Sequence, residues 1–176
     1  MEGQTTTNEE IRALVSEQED YVIHMRREFH KHPELSGKEI HTRELLIREL
    51  DELRVPYKKL KGTGLIAEIK GAKPGKNRVL RADIDALPVQ EDAENLKQKK
   101  ACVSEIEGVC HACGHDGHMA VLLGTMKVLC KLRDELEGTV YCCFEEGEET
   151  NCGIDTMMEA LEAYQVDECF ALHVYN

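Results

Sequence analysis

The run Cys110-His111-Ala112-Cys113-Gly114-His115-Asp116-Gly117-His118 puts two cysteines, three histidines and an aspartate in nine consecutive positions. A thiolate at Cys113 and an imidazole at His115 suit zinc or another first-row divalent ion. Gly114 between them lets a bent loop turn both donors to one side. A structural zinc knuckle built from Cys110, Cys113 and two histidines is the competing reading. Closed structural sites normally use two well-separated ligand pairs, a spacing this run does not clearly meet. A second chemical cluster, Glu145-Glu146-Gly147-Glu148-Glu149, follows directly on the apolar stretch 139–144, so a strand delivers its carboxylates. Beside a metal, one carboxylate can bind the ion while its neighbour stays free to take a proton. Asp83 and Asp85 alternate along a third strand end and share one face. Either can accept a hydrogen bond from a ligating histidine and fix its ring. His173 closes a fourth apolar stretch.

These four places need a scaffold. Thr7 followed by Glu10 reads as a capping box, and Ile11, Leu14, Val15, Val22, Met25 and Phe29 recur at helical spacing behind it. Ser36 followed by Glu39 repeats the capping pattern ahead of Ile40, Leu46, Ile47, Leu50 and Leu53, and Pro56 stops that helix. Strands are expected over 64–69 and 79–82, joined as a hairpin through Pro74-Gly75. A polar loop covers 92–100, and a helix runs over 118–136 until Gly138. A strand over 139–144, a helix over 155–163 and a short strand over 169–172 follow. Alternating strands and helices imply an α/β fold, with helices packed on a largely parallel or mixed β-sheet. Ligands in such sheets gather beyond the carboxyl ends of the strands, where all four chemical clusters fall.

The remainder of the composition narrows the partners. The 176 residues carry 22 basic against 34 acidic side chains, and 22 − 34 gives a net charge of −12. That balance argues against a nucleic-acid or anionic-membrane partner. No apolar run approaches the roughly 20 residues of a membrane span. The opening Met1-Glu2-Gly3-Gln4-Thr5-Thr6-Thr7 lacks the basic and apolar regions of a signal peptide, so a cytoplasmic location is expected. In that compartment the eight cysteines are not a disulfide framework. Cys130, Cys142, Cys143 and Cys169 read as small buried hydrophobes.

Arg81–Pro88 as Arg-Ala-Asp-Ile-Asp-Ala-Leu-Pro, the 111–118 run, the Glu-Glu pair after a strand, and Leu172-His173-Val174 resemble, in order, the amidohydrolase branch of the M20 metallopeptidases. Arg27-Glu28-Phe29-His30 with His32-Pro33-Glu34-Leu35-Ser36 is similar to that family's amino-terminal signature. The resemblance runs from about Tyr21 onward and points to relatives such as hippurate hydrolases, N-acyl-amino-acid deacylases and auxin-conjugate hydrolases. It implies a metal-dependent hydrolase that cleaves an amide bond with the help of two divalent ions, zinc or manganese. By motif position Cys113, His115, Glu149 and His173 become metal ligands, with Cys113 bridging. Glu148 becomes the general base that takes a proton from the attacking water, and Asp83 orients a ligand. The family's Gln-Pro-Ala segment ahead of its Glu-Glu pair is replaced here by Glu145-Glu146-Gly147. Base and ligand therefore stand open between 145/146 and 148/149, and keeping Phe144 in register favours the second pair. The resemblance also implies that residues 1–176 are the amino-terminal portion of a catalytic domain. The lid, through which a full-length protein could form a homodimer, and the carboxy-terminal part are absent, and this stretch alone is expected to be nearly inactive. A non-catalytic metal-binding module and a structural zinc domain are the alternatives.

Overall fold

A computed structural model describes residues 6–94 and 98–174. The opening residues 1–5 and part of the loop expected over 92–100 lie outside the described residues. Helices α1 (Asn8–Ser16) and α2 (Glu19–Lys31) replace the single helical stretch expected at the start. The Thr7–Glu10 capping box is present in full. Helix α3 (Ile40–Glu52) begins four residues later than its expected cap at Ser36. Its first turn is served by Glu34, which accepts from the backbone of His41 at 3.1 Å and of Thr42 at 2.8 Å. Ser36 and Glu39 are committed elsewhere.

Strands β1 (Tyr57–Lys59), β2 (Leu65–Lys70), β3 (Lys73–Asp83), β4 (Glu137–Glu145) and β5 (Glu168–Ala171) form one mixed sheet in the order β1-β2-β4-β3-β5. The expected hairpin between the second and third strands does not form. β4 inserts between them, antiparallel to β2 and parallel to β3, while β3 is parallel to β5. β4 is buried along eight of its nine residues, and an apolar strand of that kind belongs at the centre, paired on both edges. Helix α4 (His115–Lys131) makes the crossover from β3 to β4, starting three residues earlier and ending five earlier than the periodicity indicated.

Alternation along β4 divides the core. Val140, Cys142 and Phe144 face α2, α3 and α4 through Met25, Phe29, Leu46, Leu50, Met119, Leu123 and Met126. Tyr141 and Cys143 face the other way with Ile66, Val79 and Met157 of α5 (Ile154–Leu161). Burial pushes the Cys143 thiol up to about 12, as expected of a cysteine used as a hydrophobe. Cys130 is half-buried and Cys169 is exposed, because β5 is an edge strand, which corrects the expectation for that residue. All eight cysteines are free. Among the described residues no helix is long and apolar enough to cross a membrane.

Candidate metal centre

β3, β4 and β5 are mutually parallel through β3, so their carboxyl ends open on the same edge of the sheet. Asp83 and Asp85 leave β3 there. Glu148 and Glu149 lie in a 3-10 turn (Glu148–Thr150) just beyond β4, and His173 lies just beyond β5. Gly114 caps α4 at φ +91°, a left-handed conformation that costs other residues steric energy, and it turns Cys113 and His115 towards that edge. A Cβ on Gly114 would run into the Val174 side chain, so the loop and the end of β5 approach closely.

The ring of His115 has no solvent exposure. Its Nδ1 donates to the Asp85 carbonyl at 2.9 Å and to Asp85 Oδ1 at 3.1 Å, which leaves the lone pair on Nε2. Nε2 lies 3.7 Å from Glu149 Oε1 and 3.8 Å from Glu148 Oε2. Both His115 Nε2 and Glu149 Oε1 are buried without a hydrogen-bond partner among the described residues. One donor atom each from Cys113, His115 and Glu149 lies within 4.8 Å of the others. Cys113 Sγ is 3.5 Å from His173 Nε2, while His173 Nδ1 donates to the Val174 carbonyl at 2.6 Å. Burial, then hydrogen bonding to Glu149 and its charge, push the Cys113 thiol up to about 11. Sulfur, imidazole nitrogen and carboxylate oxygen, converging with two buried atoms left unpaired, are a donor set that fits a zinc-like divalent ion.

A second cluster joins Asp83, His115, His118 and His173 within the same 4.8 Å limit. His118 is already engaged at both nitrogens. Nδ1 meets Asp83 Oδ1 at 2.5 Å, and Nε2 accepts the Val174 N–H at 3.0 Å. Asp83 therefore steadies His118, while the carboxylate that orients His115 is Asp85. Alternation along the strand put both aspartates on one face without telling them apart. Asp85 also accepts from Ser36 Oγ at 2.6 Å and from the Glu149 backbone at 3.1 Å, both on Oδ2. The Ser36 contact was missed in the sequence, and its signal was the serine of the 32–36 signature.

The open choice among the four glutamates has a geometric counterpart. Glu145 is paired with Arg81 Nε at 2.8 Å, and Glu146 accepts from Gly64 N and Thr63 Oγ1, each at 2.7 Å. Glu148 and Glu149 are the two that face His115. Cys110 belongs to neither ligand cluster and instead pairs its backbone with Leu87.

A charged network braces the start of α4 from behind. His30 Nδ1 meets Asp116 Oδ2 at 2.7 Å and its Nε2 meets Glu91 at 3.1 Å, while Arg26 and Lys100 pair with the same two carboxylates. Burial works against charging the His30 ring, but hydrogen bonding and charge from Asp116, helped by Glu91, outweigh it and raise its pKa above 6.5. A histidine whose folded pKa is raised lends stability that is whole below its unfolded pKa and is lost as the pH climbs through the folded value. His30→Gln is therefore expected to lower Tm more at about pH 6 than at about pH 9. Thermal melts of both proteins check this, and an equal loss at the two pH values would count against it.

With the site laid out, known proteins supply the comparison. The model of peptidase family M20/M25/M40 matches residues 79–176, more than half of the chain. The chain belongs to that family. This M20 chain is 41% identical over 170 residues to thermostable carboxypeptidase 1 of Saccharolobus solfataricus, covering 94% of the chain and 42% of the relative. It is 43% identical over 157 residues to N-acetylcysteine deacetylase of Bacillus subtilis, covering 86% and 39%. Among solved structures it is similar to the Bacillus subtilis YXEP protein, described as a dinuclear metal binding peptidase of the M20 family. The TM-score is 0.81 at 38% identity, covering 93% of this chain and 44% of that one. The M20 chain thus spans less than half the length of the relatives it matches.

Proposed function

We propose that this chain carries the metal-holding half of a cytoplasmic amide hydrolase acting on N-acyl-amino acids or related small substrates. Cys113, His115, Glu149 and His173 would hold two divalent ions, zinc or manganese. The observation that carries this reading is the pair of buried, unpartnered atoms, His115 Nε2 and Glu149 Oε1, aimed at the space beside Cys113. The described relatives support the amide class, since one is named a deacetylase and another a carboxypeptidase.

When bound, the ions would polarise the amide carbonyl and make a water acidic. The chain's own part is positional. Asp85 keeps the His115 proton on Nδ1, and Glu149 offers an oxygen from the opposite side. Glu148 is the more open of the acidic pair, its side chain 38% exposed against 21% for Glu149. It stands where it can take a proton from the attacking water and return it to the departing amine. A net charge of −12 and the absence of a membrane-length helix among the described residues favour a small substrate over a nucleic acid or a bilayer.

We infer further that the 176 residues alone bind metal but turn over little. Phe170 on β5 and Leu172 and Val174 just beyond it are all exposed, so this side of the site is open to solvent. Elemental analysis is expected to find two ions per chain. Hydrolysis of N-acyl-amino acids should appear when the part of a relative beyond the matched stretch is supplied. Glu148→Gln should then cut turnover by about 10²- to 10⁴-fold at unchanged metal content. Full turnover by Glu148→Gln would remove Glu148 as the base, and a single ion with no turnover would favour the non-catalytic metal-binding module instead.

A further inference from the structure

We propose that Glu39 is a positioning residue for the turn that carries Glu148 and Glu149. The proposal rests on the reading of those two as base and ligand. Glu39 lies at the start of α3, outside the stretch matched by the family model, and has 0% exposure. A carboxylate is costly to bury unless its oxygens are satisfied, so the destinations of its bonds show what it is there for. None of them goes to α3, where the side chain of Glu34 takes the His41 and Thr42 N–H groups. Oε1 accepts from Gly147 N at 2.8 Å and from Gly37 N at 2.9 Å. Oε2 lies 2.6 Å from Thr63 Oγ1, which also lies 2.7 Å from Glu146 Oε2.

Gly147 is the hinge of the acidic turn. Its φ of +60° reverses the chain after β4, and its carbonyl accepts from Cys152 N at 3.0 Å and Thr150 N at 3.3 Å. Glu39 holds the opposite side of the same residue through its N–H. Two residues further on, Glu149 N is held by Asp85, which is held in turn by Ser36. The segment 36–39 therefore grips the turn at two backbone points, one on each side of Glu148. Fixing the backbone at both points restricts where the Glu148 and Glu149 carboxylates can stand. This accounts for a serine and a glutamate that look like a helix cap yet cap nothing.

Cobalt(II) titration of the 176-residue chain tests the proposal, because cobalt reports both affinity and ligand geometry in its absorption spectrum. Glu39→Ala is expected to weaken binding about tenfold, the lower end of what loss of a ligand's own outer partner costs, since Glu39 holds the turn that bears the ligand, and to alter the ligand-field bands. Glu39→Gln is expected to bind close to wild type. Its carbonyl can still accept both N–H groups, and its amide can donate to Thr63, whose hydrogen then serves Glu146. Glu34→Ala, which uncaps α3 without touching the turn, should lower Tm but leave the affinity and spectrum alone. Wild-type affinity in Glu39→Ala overturns the proposal. Equal weakening by Glu34→Ala overturns it as well, since the effect is then helix stability. So does a loss in Glu39→Gln as large as in Glu39→Ala, which makes charge and not position the cause. Glu149→Gln separates the two levels. If it weakens cobalt binding while Glu39→Ala does not, only the positioning claim fails. If it binds like wild type, the ligand reading fails and takes the claim with it.

Discussion

Asp85→Ala is expected to destabilise the chain by about 3–5 kcal/mol, a large share of the roughly 5–15 kcal/mol that holds an ordinary domain together. The carboxylate is 1% exposed and accepts from three parts of the molecule, His115 on α4, Ser36 before α3 and the Glu149 backbone after β4. Removing it leaves a half-buried hydroxyl and a half-buried N–H without their acceptor, each worth about 1 kcal/mol, the lower end of the cost of an unsatisfied group. His115 keeps only the Asp85 carbonyl.

Asp85→Asn separates stability from chemistry. If its oxygen stays with Ser36 and Glu149, its amide nitrogen faces His115 Nδ1 as a donor. The Nδ1 proton then keeps only the backbone carbonyl of residue 85 and faces an opposing donor, which shifts the ring towards the tautomer protonated on Nε2. That proton covers the lone pair aimed at Cys113 and Glu149. Asp85→Asn should accordingly keep much of the stability while losing about 10- to 100-fold in zinc affinity. The pH dependence has a definite sign. Burial opposes ionisation of Asp85, but the hydrogen bonds from His115, Ser36 and Glu149 outweigh it and hold its pKa below 3.8. A carboxylate of this kind contributes fully above its unfolded pKa, and the contribution is lost as the pH falls through the lower folded value. Urea melts should show the gap between wild type and Asp85→Ala closing only in strong acid. A gap already closed near neutral pH would remove Asp85 from the centre of the argument.

The same residue shows how far the sequence could be read. The 110–118 run was legible because its donors are contiguous and their types are rare together. The α/β class was legible from alternating periodicities, and the four clusters fell where parallel strands end. Strand partners were not legible. The 64–69 and 79–82 stretches look like a hairpin because a Pro-Gly turn joins them, yet β4 separates them, and pairing of that kind is decided by burial across the whole sheet. Ser36 and Glu39 misled for a sharper reason. A cap and a tertiary clamp use the same atoms, a side-chain oxygen and a backbone N–H, so Ser-x-x-Glu spells both. Which N–H arrives is settled by the fold. The choice of Asp85 over Asp83 for His115 lay equally beyond local pattern, because both share a face and only the pose of α4 distinguishes them.

If Cys113 is the ligand proposed above, Cys113→Ser is expected to cost more zinc affinity than the roughly 100-fold upper range for an outer partner, because it removes the softest donor in the set. It should also change how affinity depends on pH. A metal takes the thiolate, and the free thiol here is held at about 11 by burial and by Glu149. Binding at any lower pH must expel that proton, so wild-type affinity should rise about tenfold per pH unit through the neutral range. His115 adds to the slope on the acid side. Burial opposes its charging, but hydrogen bonding to Asp85 and the charges of Asp83, Asp85 and Glu149 raise its pKa, so below that value a second proton must leave Nε2. The serine hydroxyl does not ionise in this range. The Cys113→Ser curve should therefore lack the thiol's tenfold rise per pH unit and should be flat above the range in which the remaining ligands lose their protons. Competition against a chromophoric chelator across pH, with proton release measured on metal addition, reads both slopes. A wild-type curve as flat as the serine curve would mean that no thiolate forms on binding. In that case the 3.5 Å approach of Cys113 Sγ to His173 is packing between neighbours and does not mark a shared ion.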